Sequence, residues 1–214
     1  SCEGIAKTFQ IKVNPKPLIN NKFVEICSED TFNVEPLNNI DGDVVPNGTV
    51  YTWEVLTPNF NIDGWSNWID LSIPPTNSIS QTLINTTNIP QILVYVVTPV
   101  SDALGQCAGE TFEIEVTVSP RPTLQDKDFV VCSGEDFIFT PINNPPLDIV
   151  PDGTTYTWTF VDNPSIDGES NGFDQNQFEQ NNLLNVTNID QVVIYQITAS
   201  SGSCTSSFEI QLTV

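Results

Sequence analysis

Histidine and methionine are absent from all 214 residues. Without histidine no Ser-His-Asp triad can be assembled, and the commonest general base and metal ligand are both gone. Basic residues are scarce: Lys+Arg is 6 against 27 Asp+Glu, a net charge of -21. Phosphate binding depends on Lys/Arg contacts, and anionic bilayers attract basic segments. The chain is therefore read as binding no nucleic acid. Direct membrane insertion is also excluded, because no apolar run reaches the roughly 18 residues of a spanning helix. Helical periodicity longer than a turn or two is missing as well. The five cysteines contain no Cys-x-x-Cys pair, which points to disulfides and an oxidising, extracellular setting. Such an acidic surface keeps a protein solvated and self-repelling; cation capture is the sharper alternative.

What the sequence does contain, it contains twice. Cys27-Ser28 and Tyr51-Thr52-Trp53 return as Cys132-Ser133 and Tyr156-Thr157-Trp158, 105 positions on. Asn85-Thr86-Thr87-Asn88-Ile89 returns as Asn185-Val186-Thr187-Asn188-Ile189, Tyr95 as Tyr195, and Cys107 as Cys204. The opening Cys2-Glu3-Gly4 through Val13-Asn14-Pro15-Lys16-Pro17 matches Cys107-Ala108-Gly109 through Val118-Ser119-Pro120-Arg121-Pro122 without a gap. A unit of about 100 residues can hold its own core, whereas solenoid units run about 20–50 residues and cannot fold singly. The chain therefore divides into 1–14, the last strand of a preceding repeat, 15–119, repeat 1, and 120–214, repeat 2. It opens in mid-repeat, so a secretory leader is expected outside it. The opening strand is expected to pair with a sheet edge beyond repeat 1.

Within each repeat, apolar residues alternate with polar ones. Phe112, Ile114, Val116 and Val118 alternate with Glu113, Glu115 and Thr117; Phe208, Ile210, Leu212 and Val214 do the same. Period-2 alternation gives one buried and one wet strand face. Tyr51, Trp53 and Val55 share a face, as do Tyr156, Trp158 and Phe160. Residues 92–98 and 192–198 are rich in β-branched and aromatic side chains, which favours strand. Turn formers such as Pro46-Asn47-Gly48, Asp63-Gly64, Pro74-Pro75 and Asp167-Gly168 separate these runs. The fold class is all-β: tandem immunoglobulin-like antiparallel β-sandwiches of about seven strands each. Alternate prolines at Asn14-Pro15-Lys16-Pro17 and Ser119-Pro120-Arg121-Pro122 mark extended, semi-rigid joints.

The motif order resembles the PKD-like, immunoglobulin-like repeats of giant surface proteins in Bacteroidetes. It runs Cys-Ser, Tyr-Thr-Trp, Ile-Asp-Gly, Asn-x-Thr-Asn-Ile, Tyr-x-x-Thr, Cys, then an alternating strand ending in Pro-x-Pro. Within that group it is most similar to the SprB-like mobile adhesins of flavobacterial gliding, exported by type IX secretion. Ordinary PKD domains carry Trp-Asp-Phe-Gly-Asp-Gly after the central Tyr-x-Trp; here Trp53-Glu54-Val55-Leu56 and Trp158-Thr159-Phe160-Val161 stand instead. The resemblance brings no catalytic residues. It implies a cell-surface stalk or filament whose partners are surface polysaccharide or another extracellular surface, and neighbouring repeats of the same protein. A carbohydrate-binding accessory module of a secreted enzyme is the alternative, and copy number in the full chain separates the two.

Four sets of residues stand out. Two disulfide schemes fit the repeats: Cys27–Cys107 with Cys132–Cys204, or Cys2–Cys27 with Cys107–Cys132. The strand after Cys107 carries the chain roughly 33 Å, and Cys132 lies past the joint. The within-repeat pairs are therefore expected, with Cys2 left for a partner elsewhere. Trp53 and Trp158 read as core. Trp65 and Trp68 lie in a polar segment that repeat 2 lacks, where the two indoles either form a local cluster plugging the sandwich edge or stack on a sugar ring or a partner. Asn39, Asp41 and Asp43 alternate around Gly42, a pattern of hard oxygens suited to Ca2+. Asn47, Asn85 and Asn185 head glycosylation sequons. No acid pair is singled out as a glycosidase pair would be, so the chain is read as non-enzymatic.

Overall fold

The computed structural model describes residues 5, 7–69, 76–101 and 106–214. Cys2 and the Pro74-Pro75 turn lie outside them. The first repeat runs β1 (Lys22–Cys27), β2 (Thr31–Val34), β3 (Val50–Val55), β4 (Ile62–Asp63), β5 (Ile79–Thr82), β6 (Ile84–Asn85), β7 (Gln91–Val100) and β8 (Phe112–Ser119). The second runs β9 (Lys127–Val130), β10 (Glu135–Phe139), β11 (Thr155–Phe160), β12 (Ile166–Asp167), β13 (Gly172–Gln175), β14 (Phe178–Asn185), β15 (Val192–Ser201) and β16 (Cys204–Thr213). Among the described residues no helix forms.

Alternation sets the layers. Phe112, Ile114, Val116 and Val118 of β8 all face a buried core with Leu93, Tyr95 and Val97 of β7. Phe208, Ile210 and Leu212 of β16 face an equivalent core with Val193, Tyr195 and Ile197 of β15. One sheet of each sandwich has the order β1-β8-β7-β3 or β13-β11-β15-β16-β9. The facing layer is β10-β14-β12 in the second repeat; in the first it is the pairs β2-β5 and β4-β6. The long strand β14 of repeat 2 is thus split in repeat 1, where buried Leu83 separates β5 from β6.

Trp53 and Trp158 are buried, and each indole N–H donates to a backbone carbonyl: Trp53 to Ser66 O at 3.0 Å and Trp158 to Ser170 O at 2.9 Å. Asn85 is 1% exposed. Its amide donates to Val118 O and to Ile89 O, each at 2.8 Å, while its Oδ1 accepts from Thr87 N and Oγ1. Asn185 makes the same bonds to Val214, Ile189 and Thr187. The sequon-like motif therefore ties a turn to the end of the last strand. Gly64 and Gly168 of the Ile-Asp-Gly motifs have φ of +90° and +97°. A Cβ at Gly168 would lie 2.6 Å from Asn182 O, so both sterics and conformation require glycine there.

One feature departs from the sequence reading. The sheets are antiparallel except at one edge: β1 pairs with β8, and β9 with β16, in parallel. Residues 7–14 form no strand, and Phe9, Ile11 and Val13 are 85%, 85% and 86% exposed. A β-type alternation becomes a strand only where a sheet edge takes its backbone groups.

Candidate functional site at the joint between the repeats

Parallel pairing of β1 with β8 decides where the cysteines lie. Cys27 closes β1 opposite Ser119, the last residue of β8. Cys107 precedes the start of β8, so a strand of 8 residues, about 27 Å long, separates the two poles of the repeat. Disulfide geometry tolerates Cα separations up to roughly 7 Å. The expected Cys27–Cys107 and Cys132–Cys204 bonds are therefore not the ones found. Cys27 of repeat 1 is bonded to Cys204 of repeat 2, with S–S 2.02 Å and Cα–Cα 5.6 Å. Cys107 and Cys132 are free thiols. Cys107 is far from Cys27 as well as from Cys132.

Arg121, between the joint prolines, reinforces the bond. Its Nε donates to Ser28 O at 2.9 Å and its Nη2 to Asp30 Oδ1 at 2.7 Å, both on the turn after Cys27. Its Nη1 donates to Thr205 O at 2.7 Å, next to Cys204. One guanidinium thus spans both repeats, using the planar fork that lysine lacks. Pro120 and Pro122 on either side are buried. Disulfide, guanidinium clamp and fixed proline φ angles together restrain the joint.

The acidic loop is built around a lysine. Lys22 Nζ lies 2.9 Å from Asp43 Oδ2 and 3.2 Å from Asp41 Oδ2. Asp43 is 2% exposed, and its Oδ1 accepts from Asn20 N at 2.9 Å. Asn39 contributes its backbone N–H, which donates to Asp43 O at 2.9 Å. The ammonium stands where a cation would, so Asn39, Asp41 and Asp43 do not fit a Ca2+ site. Among the described residues no cluster of His, Cys, Asp and Glu could hold a metal. The same device recurs in repeat 2, where Lys127 Nζ lies 3.0 Å from Asp148 Oδ2 and Gln125 N donates to Asp148 Oδ1 at 3.0 Å. The signal was in the sequence: Lys22 and Lys127 are 105 apart, as are Asp43 and Asp148.

Burial opposes the charge on Lys22, but its hydrogen bonds to Asp43 and Asp41 and their attraction outweigh it, and its pKa lies above the ordinary 10.5. Burial also raises the buried tyrosines: Tyr156 is pushed up to about 12, and Tyr51, Tyr95 and Tyr195 are raised further. Every one of these groups keeps a proton in the fold that the unfolded chain releases from about pH 10. Their contribution is complete below that pH and is lost as pH rises through the folded values. The melting temperature, followed by circular dichroism, is expected to fall steeply above about pH 10. An unchanged value up to pH 12 would contradict this.

Trp68 stacks on Trp53 at a centroid distance of 5.6 Å and an interplanar angle of 15°. The two residues also exchange backbone hydrogen bonds of 2.8 Å in both directions, extending the sheet edge beyond β3. Trp65 and Trp68 both pack, half-buried, on the core. In repeat 2 the equivalent edge is β13, where Gly172 leaves room for the indole of Trp158. Trp68 thus closes in repeat 1 an edge that β13 closes in repeat 2. Trp68→Ala should cost about 2 kcal/mol, below the 3–5 of a fully buried tryptophan. Urea unfolding would measure it, and a loss under about 0.5 kcal/mol would show the stack to be incidental.

These sandwiches and the joint between them define a class: tandem immunoglobulin-like repeat modules. The chain belongs to the PKD-like domain family, whose model matches residues 24–122 and 130–214. PKD-like domains are typically non-catalytic. No curated protein matches the chain. Among solved structures, it is similar to a sialyltransferase from Photobacterium damsela, at 9% identity and TM-score 0.29, covering 52% of this chain and 19% of that one. It is also similar to titin domains I67–I69 in an E-to-A mutated variant, at 12% identity and TM-score 0.32, covering 92% and 63%. The N-terminal four Ig domains of Dscam1 isoform 1.9 match at 14% identity and TM-score 0.29, covering 92% and 45%. The chain spans less than two thirds of each of these structures. No helix of the described residues is long and apolar enough to cross a membrane.

Proposed function

We propose that this chain is a non-enzymatic segment of a long extracellular cell-surface adhesin or filament. It supplies length and display for attachment or gliding, as in the exported gliding adhesins of Bacteroidetes. The observation that supports this most directly is the joint. A module whose task is only to fold needs no covalent bond to its neighbour. A stalk that must project a distant tip gains reach from every joint that cannot bend. The Cys27–Cys204 bond and the Arg121 clamp serve that purpose. A structural disulfide also belongs to oxidising compartments outside the cytosol. The -21 charge keeps neighbouring stalks apart. The partner is surface polysaccharide or another extracellular surface.

Two measurements test this reading. Antibodies against the chain should label intact cells of its source, and beads coated with it should bind at least one member of a polysaccharide panel. Labelling only after lysis would overturn the localisation. Beads that bind no surface or polysaccharide would overturn the adhesive role. Trp65→Ala separates contact from packing: as a contact residue it weakens bead binding while the melting temperature holds.

A further inference from the structure

The turn that carries Cys27 is built a second time around Cys132. Glu29 N donates to Leu83 O and Gly134 N to Leu183 O, both at 2.7 Å. Asp30 N donates to Cys27 O and Glu135 N to Cys132 O, both at 3.0 Å. Ser28 Oγ accepts from Asn85 N and Ser133 Oγ from Asn185 N, again both at 3.0 Å. The positive φ at Glu29, 75°, is matched by 85° at Gly134. Parallel pairing of β9 with β16 carries Cys132 to the exit pole of repeat 2, where Val131 N donates to Thr213 O at 2.9 Å. At the opposite end, Cys107 precedes β8 as Cys204 begins β16, beside the joint residues Lys16 and Pro17. Lys16 Nζ lies 4.0 Å from Glu110, and Pro17 O lies against Gly109.

What differs is cover. Ser28 is 5% and Asn85 1% exposed, whereas Ser133 is exposed and Asn185 half-buried. Pro120 is buried and Arg121 half-buried, whereas Pro15 and Lys16 are exposed. The buried members are those at the joint where another repeat abuts. The exposed members, with the free thiols Cys107 and Cys132, present the same surfaces without a second repeat against them among the described residues.

We propose that Cys107 and Cys132 are the two halves of further joints of the same kind. Cys132 bonds the strand-opening cysteine of a repeat placed after it, and Cys107 bonds the turn cysteine of a repeat placed before it. Each boundary between successive repeats then carries one disulfide, and the array is a continuous stapled rod. The inference rests on the tandem-array part of the reading above and not on what the array attaches to. Formation needs a two-electron oxidant, which is a disulfide of the dithiol-oxidase class or a small-molecule disulfide. The Cys132 thiolate attacks one sulfur of that disulfide and expels a thiolate. The partner's thiolate then attacks the Cys132 sulfur of the mixed disulfide and expels the second thiolate. The two cysteine protons end on the two thiols released, so the oxidant is reduced and the joint oxidised.

The experiment uses the full chain with Val214 followed directly by residues 14–214 of a second copy. This continues the backbone as Val118-Ser119-Pro120 does at the existing joint. The protein is oxidised with oxidised glutathione, alkylated and mapped without reduction. The expected result is a bond between Cys132 of the first copy and Cys107 of the second. Two thiols should be lost relative to an equimolar mixture of residues 1–214 and residues 14–214 left unfused, and Cys132→Ser in the first copy should return Cys107 of the second to the free pool. If both cysteines are alkylated, or bond elsewhere, while each copy keeps its Cys27–Cys204 bond, the proposal is overturned. A failure of surface labelling or bead binding would leave this bond standing, and absence of the bond would leave the adhesive reading standing.

Discussion

Replacing Cys27 with serine is expected to loosen the joint while leaving both sandwiches folded. Neither core contains the bond: the two hydrophobic clusters span residues 19–118 and 124–214 and share no residue. The bond's sequence separation is 177. On the chain-entropy model a loop of that length restrains the denatured chain by about 5 kcal/mol. The oxidised wild type should therefore resist urea more than Cys27→Ser, with about 5 kcal/mol as the ceiling on the difference. Arg121 alone should not hold the joint, because two of its three bonds are exposed to solvent, and exposed polar contacts contribute at most about 1 kcal/mol. Small-angle scattering should fit a single interdomain arrangement for the oxidised protein and a broad distribution for the variant. Identical scattering from the two would show that the prolines and Arg121 suffice.

Lys22→Met should destabilise repeat 1 by about 3–5 kcal/mol, the range for removing one partner of a buried ion pair. The Lys22 side chain is 16% exposed and that of Asp43 1%. Methionine fills a similar volume but leaves the Asp43 carboxylate without a counter-charge. Asp43→Asn in the same background should recover part of the loss, since an uncharged amide can still accept from Asn20 N. Urea unfolding of the single and double variants gives the coupling energy directly. A loss under about 1 kcal/mol would mean that solvent reaches the pair. Millimolar calcium should raise the melting temperature of the wild type no more than sodium chloride at equal ionic strength does. A specific rise would show that calcium displaces Lys22, contrary to the present geometry.

The sequence already specified most of the scaffold. Period-2 alternation in 112–118 and 208–214 is a local signal, because a strand's facing rule depends only on its own pleat. Trp53 and Trp158, Tyr95 and Tyr195 could be placed in cores from their equivalent positions on strand faces. The glycines of Ile-Asp-Gly could be read as turns. Even the lysine in the acidic loop was legible, since Lys22 and Asp43 repeat together as Lys127 and Asp148. The pairing is weakly marked there because the lysine and the aspartate of each pair stand 21 positions apart, outside the acidic loop's own motif.

The tertiary structure alone decided the rest. Spacing gives cysteine equivalence but not the pole each occupies. That is set by the parallel register of β1 on β8, a contact between residues such as Cys27 and Ser119 at opposite ends of the repeat's sequence. Register also decided between the two readings of Trp68, an edge plug or a sugar platform, by making it the stacking partner of Trp53, because its edge position exists only once the sheet has formed. By itself, then, the sequence determined which residues face inward and that the unit is doubled. How one unit is bonded to the next depended on distances in space, which a one-dimensional repeat does not encode.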